Sequence, residues 1–195
     1  MYSAPAQEVF SLRVISGSLK GRKLLASKGM ALRPTSDRVR ESIFDILQNA
    51  IGGMRVLDLF AGTGALGIEA LSRGAARAVF VEGSSRSLSV LGRNIEACGL
   101  EARAEVLPHE MEKALGILAK RAEIFDLVFA DPPYGKGLAT RAMEKLSRGA
   151  FLAEGGLVVA EHSPEEPLDS VPPLKRVDQR KYGRTLISFF QRDAD

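Results

Sequence analysis

Asp131-Pro132-Pro133-Tyr134 closes the apolar run from Phe125 to Ala130. The two prolines fix φ and remove two backbone donors, so the carbonyls around them are left to accept hydrogen bonds. Asp131 adds a further acceptor, and Tyr134 offers a flat face on which a ring stacks. Acceptors that converge beside a stacking platform suit a planar amine, such as the exocyclic NH2 of a nucleobase. A rigid turn after a strand asks for the same residues, so these four alone leave both readings open.

The segment upstream separates them. Val56-Leu57-Asp58-Leu59-Phe60-Ala61-Gly62-Thr63-Gly64-Ala65-Leu66-Gly67 runs from apolar strand through an acid into glycines that open a helix. Gly62-x-Gly64-x-x-Gly67 has the dinucleotide-binding spacing: a tight turn, close approach of a ligand, and close packing of helix on strand. Gly67 is equally at home as a plain packing residue. Glu82 ends the next apolar run, from Ala78, where a carboxylate accepts from both ribose hydroxyls. So far the pattern fits NAD as well as S-adenosyl-L-methionine. Asp58 discriminates, because a carboxylate at the mouth of the loop repels a diphosphate and attracts the ammonium and sulfonium of the methionine moiety. Phe60 lines the pocket or packs in the core.

The 195 residues suffice for a single domain with a substantial core. Cys98 has no partner for an internal disulfide, and neither it nor the two histidines sits in a metal-ligand spacing, so no metal is expected. No apolar stretch approaches the roughly 18 residues of a membrane span. Met1 to Phe10 shows no basic region leading into an apolar core, so no signal peptide is expected and a cytoplasmic, monomeric protein is the default.

Charge is unevenly placed. The net charge is +3, yet residues 11–40 carry Arg13, Lys20, Arg22, Lys23, Lys28, Arg33, Arg38 and Arg40 against one acid, Asp37. A local positive surface of this kind contacts phosphates, with affinity that falls as salt rises. A solvated charged face is the plainer reading of any charge run. Its place beside a base-sized pocket motif favours nucleic acid.

The elements that must position these residues follow from periodicity. Leu12–Ser16 and Arg22–Ala26 flank a glycine-bounded turn and read as a small basic hairpin. Ser36 caps a helix to about Gln48, with Val39, Ile43, Phe44 and Leu47 on one face. Strands are expected at 55–60, 78–82, 103–107, 125–130 and 156–161, with helices at 63–73, 85–97, 110–121 and 137–148 between them. That alternation means a parallel sheet covered on both faces, with the ligand crevice at the carboxyl ends of the strands. Asp58, Glu82 and Asp131 all fall there. Lys175–Gln179 and Thr185–Gln191 flank Tyr182-Gly183 without a helix and should form an antiparallel hairpin at the sheet edge. The expected plan is one domain over 1–195, with a basic extension at 11–32 and a catalytic core at 36–195.

In order, the hairpin, Arg33-Pro34-Thr35-Ser36-Asp37-Arg38-Val39-Arg40-Glu41, the Asp58–Gly64 segment, Glu82 and Asp131–Tyr134 resemble the RsmD family. That family consists of bacterial methyltransferases of guanine N2 in small-subunit ribosomal RNA. The glycine loop and the Asp-Pro-Pro-Tyr motif are shared with many Class I methyltransferases; the Arg33–Leu47 stretch and the hairpin are more particular. The resemblance implies a Class I, Rossmann-like α/β fold: a mostly parallel seven-stranded sheet with the last strand antiparallel, plus an N-terminal β-hairpin. It also implies S-adenosyl-L-methionine as methyl donor and 16S rRNA in the 30S subunit as substrate. Asp131, Pro132 and Tyr134 would be catalytic. Asp58, Phe60, Gly62, Gly64, Glu82 and Glu110 would bind the donor, and Arg13, Lys20, Arg22, Lys23, Arg33 and Arg38 the RNA. Glu110, with His109 beside it, is the candidate for the acid that approaches the adenine amine, although an acid in the first turn of a helix also complements the dipole. Arg33, Thr35 and Asp37 read as a lid or substrate-side element, or as helix caps. His162, at a strand end near the crevice, reads as a bystander.

Three other functions share parts of this pattern. A DNA adenine-N6 methyltransferase uses the same acceptors but usually carries a separate DNA-recognition region. A release-factor glutamine methyltransferase prefers Asn where this chain has Asp131, and does not need the basic hairpin. A non-catalytic RNA-binding or ribosome-assembly module would not need Asp58, Gly62, Gly64, Glu82 and Asp131 intact.

Overall fold

The computed structural model describes residues 12–26 and 37–193. Lys28, Arg33, Thr35 and Ser36, which the sequence places on the substrate side or at a helix cap, lie outside the described residues. Seven strands form one sheet in the order β5-β4-β3-β6-β7-β9-β8. The central strands are β3 (Arg55–Asp58), β4 (Arg77–Val81), β5 (Ala104–Leu107), β6 (Phe125–Ala130) and β7 (Leu152–His162). All five run parallel. β9 (Thr185–Arg192) pairs antiparallel with both β7 and β8 (Leu174–Tyr182), so the last strand inserts between the edge strand and the rest. β1 (Leu12–Arg13) and β2 (Lys23–Leu24) pair antiparallel as a separate two-stranded ribbon.

Period-two alternation in the strands divides the core between the two faces of the sheet. Val56, Ala78, Phe80, Leu127, Phe129 and Val159 belong to one apolar cluster, and Leu57, Val79, Val81, Val128, Val158 and Ala160 to the other. Helices α1 (Asp37–Leu47), α2 (Ala65–Ser72) and α3 (Ser85–Cys98) cover the first face. Helices α4 (Met111–Lys120) and α5 (Leu138–Arg148) cover the second. Cys98 is buried at the end of α3, and burial pushes its thiol pKa up.

Two expectations change. β7 begins at Leu152 rather than 156, because Leu152 pairs with Phe125 before a register shift carries Leu157 onto Leu127. Arg40 does not join the positive surface. It is 1% exposed, donates to the Arg13 carbonyl at 2.8 Å, and pairs with Asp37 at 2.8 Å.

The basic hairpin is fastened to the core by polar side chains. The Glu69 carboxylate, fully buried on α2, accepts from Ile15 N at 2.7 Å, Ser16 N at 3.0 Å and Arg73 Nε at 2.7 Å. The Ser72 hydroxyl accepts from Leu19 N and donates to the Ser16 carbonyl. Gly17 has φ +81°, and a Cβ there would lie 2.0 Å from the Ser72 carbonyl oxygen, so only glycine lets the hairpin come this close.

Candidate active site

The glycine loop joins β3 to α2 at the carboxyl edge of the sheet. Gly62 turns at φ +54° and Gly64 at φ +81°. Gly64 is constrained from behind: an added Cβ would meet Leu91 Cδ1 at 2.5 Å. Gly67 allows helix and sheet to close, since a Cβ there would lie 2.3 Å from Phe80 Cε1. Asn94 on α3 ties this loop to the hairpin. Its amide donates to the Thr63 carbonyl at 2.9 Å and exchanges two hydrogen bonds with Leu25.

A cavity of about 470 Å³ opens beside the loop, within the usual range for a small-molecule site. Phe60, Gly62, Glu82, His109 and Glu110 line it together, from three separate strand ends. Leu59, Val81, Met111 and Leu138 supply apolar wall. Glu82 bridges the loop and the start of α3: Oε2 accepts from Gly62 N at 2.8 Å and Oε1 from Ser84 N at 2.7 Å. A carboxylate has about four lone-pair positions, so each oxygen keeps one for a further donor. Glu110 stands at the N-cap of α4 without using its side chain as a cap. Its carboxylate instead lies over Gly83, whose added Cβ would sit 2.2 Å from Glu110 Oε1. Lys136, an exposed cation, stands on the same cavity wall. Nothing in its spacing singled it out.

Asp58 and Gly64 are not among the lining residues. Asp58 is 2% exposed beneath the loop, where Oδ2 accepts from Gly67 N at 3.0 Å. Burial pushes its pKa up to about 7, Glu82's charge pushes the same way, and the Gly67 hydrogen bond opposes both. A carboxylate held in this condition attracts a positive charge placed above it.

A family model described as conserved hypothetical protein 95 matches residues 12–191 of this chain. YlbH of Bacillus subtilis is 39% identical over 182 residues, covering 93% of this chain and 99% of that protein. The ribosomal RNA small subunit methyltransferase D of Escherichia coli K12 is 36% identical over 184 residues, covering 94% and 91%. The chain belongs to the conserved hypothetical protein 95 family. The solved structure of yhhF from Escherichia coli matches with a TM-score of 0.84 at 35% identity, over 95% of this chain and 100% of that one. An RNA methyltransferase of Salinibacter ruber, solved with S-adenosyl-L-homocysteine, shares the fold with a TM-score of 0.64 at 14% identity, over 84% and 95%.

In this member of the conserved hypothetical protein 95 family, the loop after β6 is braced from the far side. Asp131 is half-buried and Pro132 buried. Asp131 lines neither the cavity above nor the one beyond Tyr134. Pro133 lines the first cavity, and Tyr134 lines the second. The Tyr134 hydroxyl donates to Glu161 Oε1 at 2.8 Å, with Thr185 Oγ1 at 3.3 Å. Glu166 accepts from Gly135 N and Gly137 N, both at 3.1 Å. Glu161 and Glu166 were not singled out from sequence, because their partners in the loop after β6 are distant in sequence. His162 is 1% exposed, with Nδ1 on the Glu166 carbonyl at 3.0 Å and Nε2 on Ser188 Oγ at 2.9 Å. Burial lowers its pKa, in keeping with a neutral, structural ring.

On the hairpin side, Arg13, Lys20, Arg22, Lys23 and Arg38 are all exposed. Arg13 lies 3.5 Å from Asp37. Among the described residues, no group of three or more His, Cys, Asp or Glu could hold a metal ion. No described helix is long and apolar enough to cross a membrane.

Proposed function

We propose that this chain is an S-adenosyl-L-methionine-dependent methyltransferase acting on the exocyclic N2 of a guanine in 16S rRNA, within the 30S particle. One observation carries the choice of donor. Two of the backbone donors that a dinucleotide fold can turn toward a diphosphate are already taken, Gly62 N by Glu82 and Gly67 N by Asp58. A diphosphate would meet carboxylates in place of N–H groups, whereas a cationic ligand gains from both. When bound, S-adenosyl-L-methionine supplies a methyl group on a positively charged sulfur. Glu82 would hold the ribose hydroxyls, Glu110 the adenine amine, and Phe60 with the apolar walls the adenine ring. Asp58 would act from beneath the loop on the ammonium.

The loop after β6, the exposed basic hairpin, and kinship with the small-subunit methyltransferase of Escherichia coli support this substrate. Guanine N2 is a weak nucleophile because its lone pair is delocalised into the ring. Asp131 and the Pro132 carbonyl would accept from its N–H groups and orient it, and the Asp131 carboxylate would take the proton that nitrogen must shed on forming a fourth bond. Tyr134 would stack on the base, which has to leave its own stack to reach a buried site. The exposed hairpin and Arg38 would grip phosphates.

Calorimetry with S-adenosyl-L-homocysteine and with NAD tests the donor: the former binds and the latter does not. Asp131→Ala should leave that binding within about twofold while methyl transfer falls at least roughly tenfold. Near-normal turnover in this variant would remove Asp131 from the reaction.

A further inference from the structure

The loop after β6 faces two cavities at once. Pro133, Lys136 and Leu138 line the one already described, while Tyr134 and Gly135 line another of about 390 Å³. Ser163, Glu165 and Glu166 line it from the end of β7, and Arg184 from the β8–β9 turn. The two carboxylates here keep their charge but are each held by donors of their own, and Arg184 is the cation that faces them across the cavity. Glu166 takes two backbone N–H groups, and Glu165 accepts from the Ser163 hydroxyl.

Four cations of the β8–β9 hairpin divide into two sorts. Arg176 donates to the Leu168 carbonyl at 2.8 Å, and Arg180 pairs with Asp178 at 2.9 Å. Lys181 and Arg184 are exposed, and among the described residues neither side chain enters a hydrogen bond or ion pair. They flank Tyr182-Gly183, at the end of the hairpin that sits beside Tyr134 through the Thr185 contact. This turn is also joined to the basic N-terminal hairpin through α1. Tyr182 hydrogen-bonds Ser42 on that helix, and Arg40 of the same helix holds the Arg13 carbonyl. Two cationic elements far apart in sequence are thus carried on one helix, with the loop after β6 next to the second.

We propose that the cavity beyond Tyr134 is a nucleotide subsite of the RNA, with Arg184 and Lys181 of the β8–β9 turn holding the phosphate of the nucleotide whose base lies against Tyr134. The proposal rests on the methyltransferase reading above and adds a second phosphate-binding element to it. Nothing in the sequence pointed here, because Lys181 and Arg184 follow a mixed-charge stretch with Asp178 and read as an ordinary solvated edge hairpin. Each phosphate contact to single-stranded RNA releases about 0.7 of a counterion, so losing two such contacts weakens binding roughly tenfold at moderate salt and lowers the slope of log affinity against log salt by about 1.4.

The test is steady-state methylation, using whichever of deproteinised small-subunit rRNA and 30S particles the wild type accepts better. Arg184→Ala combined with Lys181→Ala should raise KM for RNA about tenfold and flatten the salt dependence. Affinity for S-adenosyl-L-homocysteine should stay within about twofold. Arg184→Lys, which keeps the charge, should recover most of the loss. A double variant with wild-type KM and wild-type salt slope overturns the subsite while leaving the enzyme reading intact. A wild type that binds S-adenosyl-L-homocysteine yet methylates neither RNA form overturns the rRNA reading and this proposal with it.

Discussion

Replacing Asp58 by Asn should make the ligand-free protein more stable at neutral pH. Asn keeps an oxygen for Gly67 N–H and removes the buried charge. The magnitude comes from the raised pKa. Burial is its main cause, and it lifts the carboxyl from 3.8 to about 7 in the folded chain. Below about pH 4 the folded and unfolded chains both carry the proton, so folding costs nothing on this account. Between about pH 4 and 7 the unfolded chain has lost the proton and the folded chain retains it. Stability therefore falls by about 1.4 kcal/mol for each pH unit, and the loss is complete above the folded pKa. The Asn variant has no such proton. The stability of Asp58→Asn relative to wild type should rise by about 3 kcal/mol between pH 5 and pH 8. Urea unfolding of both proteins at each pH measures this, and the subtraction cancels other titrating groups. A difference that stays flat with pH would refute the reasoning. The same substitution should weaken S-adenosyl-L-methionine binding, because the charge under the loop is gone. In the wild type a bound cation favours the ionised carboxyl, so affinity should rise between about pH 6 and 8 with release of a proton.

Other outcomes follow from single contacts. Gly67→Ala drives a methyl group to 2.3 Å from the fully buried Phe80 ring, and should cost about 1–3 kcal/mol in urea unfolding; an unchanged midpoint would show that the ring yields freely. Glu161→Ala removes the acceptor that holds Tyr134. Methyl transfer should fall roughly tenfold with donor affinity unchanged, and Glu161→Gln, which still accepts from the hydroxyl, should recover most of it. Glu69→Ala strands two half-buried backbone donors and Arg73. It should cost about 3 kcal/mol and open Lys20, Arg22 and Lys23 to trypsin, whereas unchanged protection would mean that the hairpin is held by other contacts.

The sheet was largely legible because each strand alternates or runs apolar between turn residues, and helices of 3.6 periodicity separate the parallel ones. The antiparallel end was also visible, since too few residues separate β8 from β9 for a crossover. What escaped was long-range polar work. Glu69 looks like a solvated helix residue until the hairpin arrives above it, and Arg40 looks like one more surface cation until its helix turns it inward. Asn94 shows no signal at all, because its partners Leu25 and Thr63 are distant in sequence. That Asp58, Glu82 and Asp131 end strands at the carboxyl edge of the sheet was readable from position alone. Which of them line the cavity was not. Burial beneath the loop, which sets Asp58 apart from Glu82 on the cavity wall, depends on how strand and helix close around Gly67.

Nucleoside analysis tests the central claim most directly. Small-subunit rRNA, free and as 30S particles, is incubated with the protein and methyl-labelled S-adenosyl-L-methionine, digested, and read by mass spectrometry. The account predicts label in N2-methylguanosine. Label in N6-methyladenosine or in protein, or none at all from a chain that binds the donor, would contradict it.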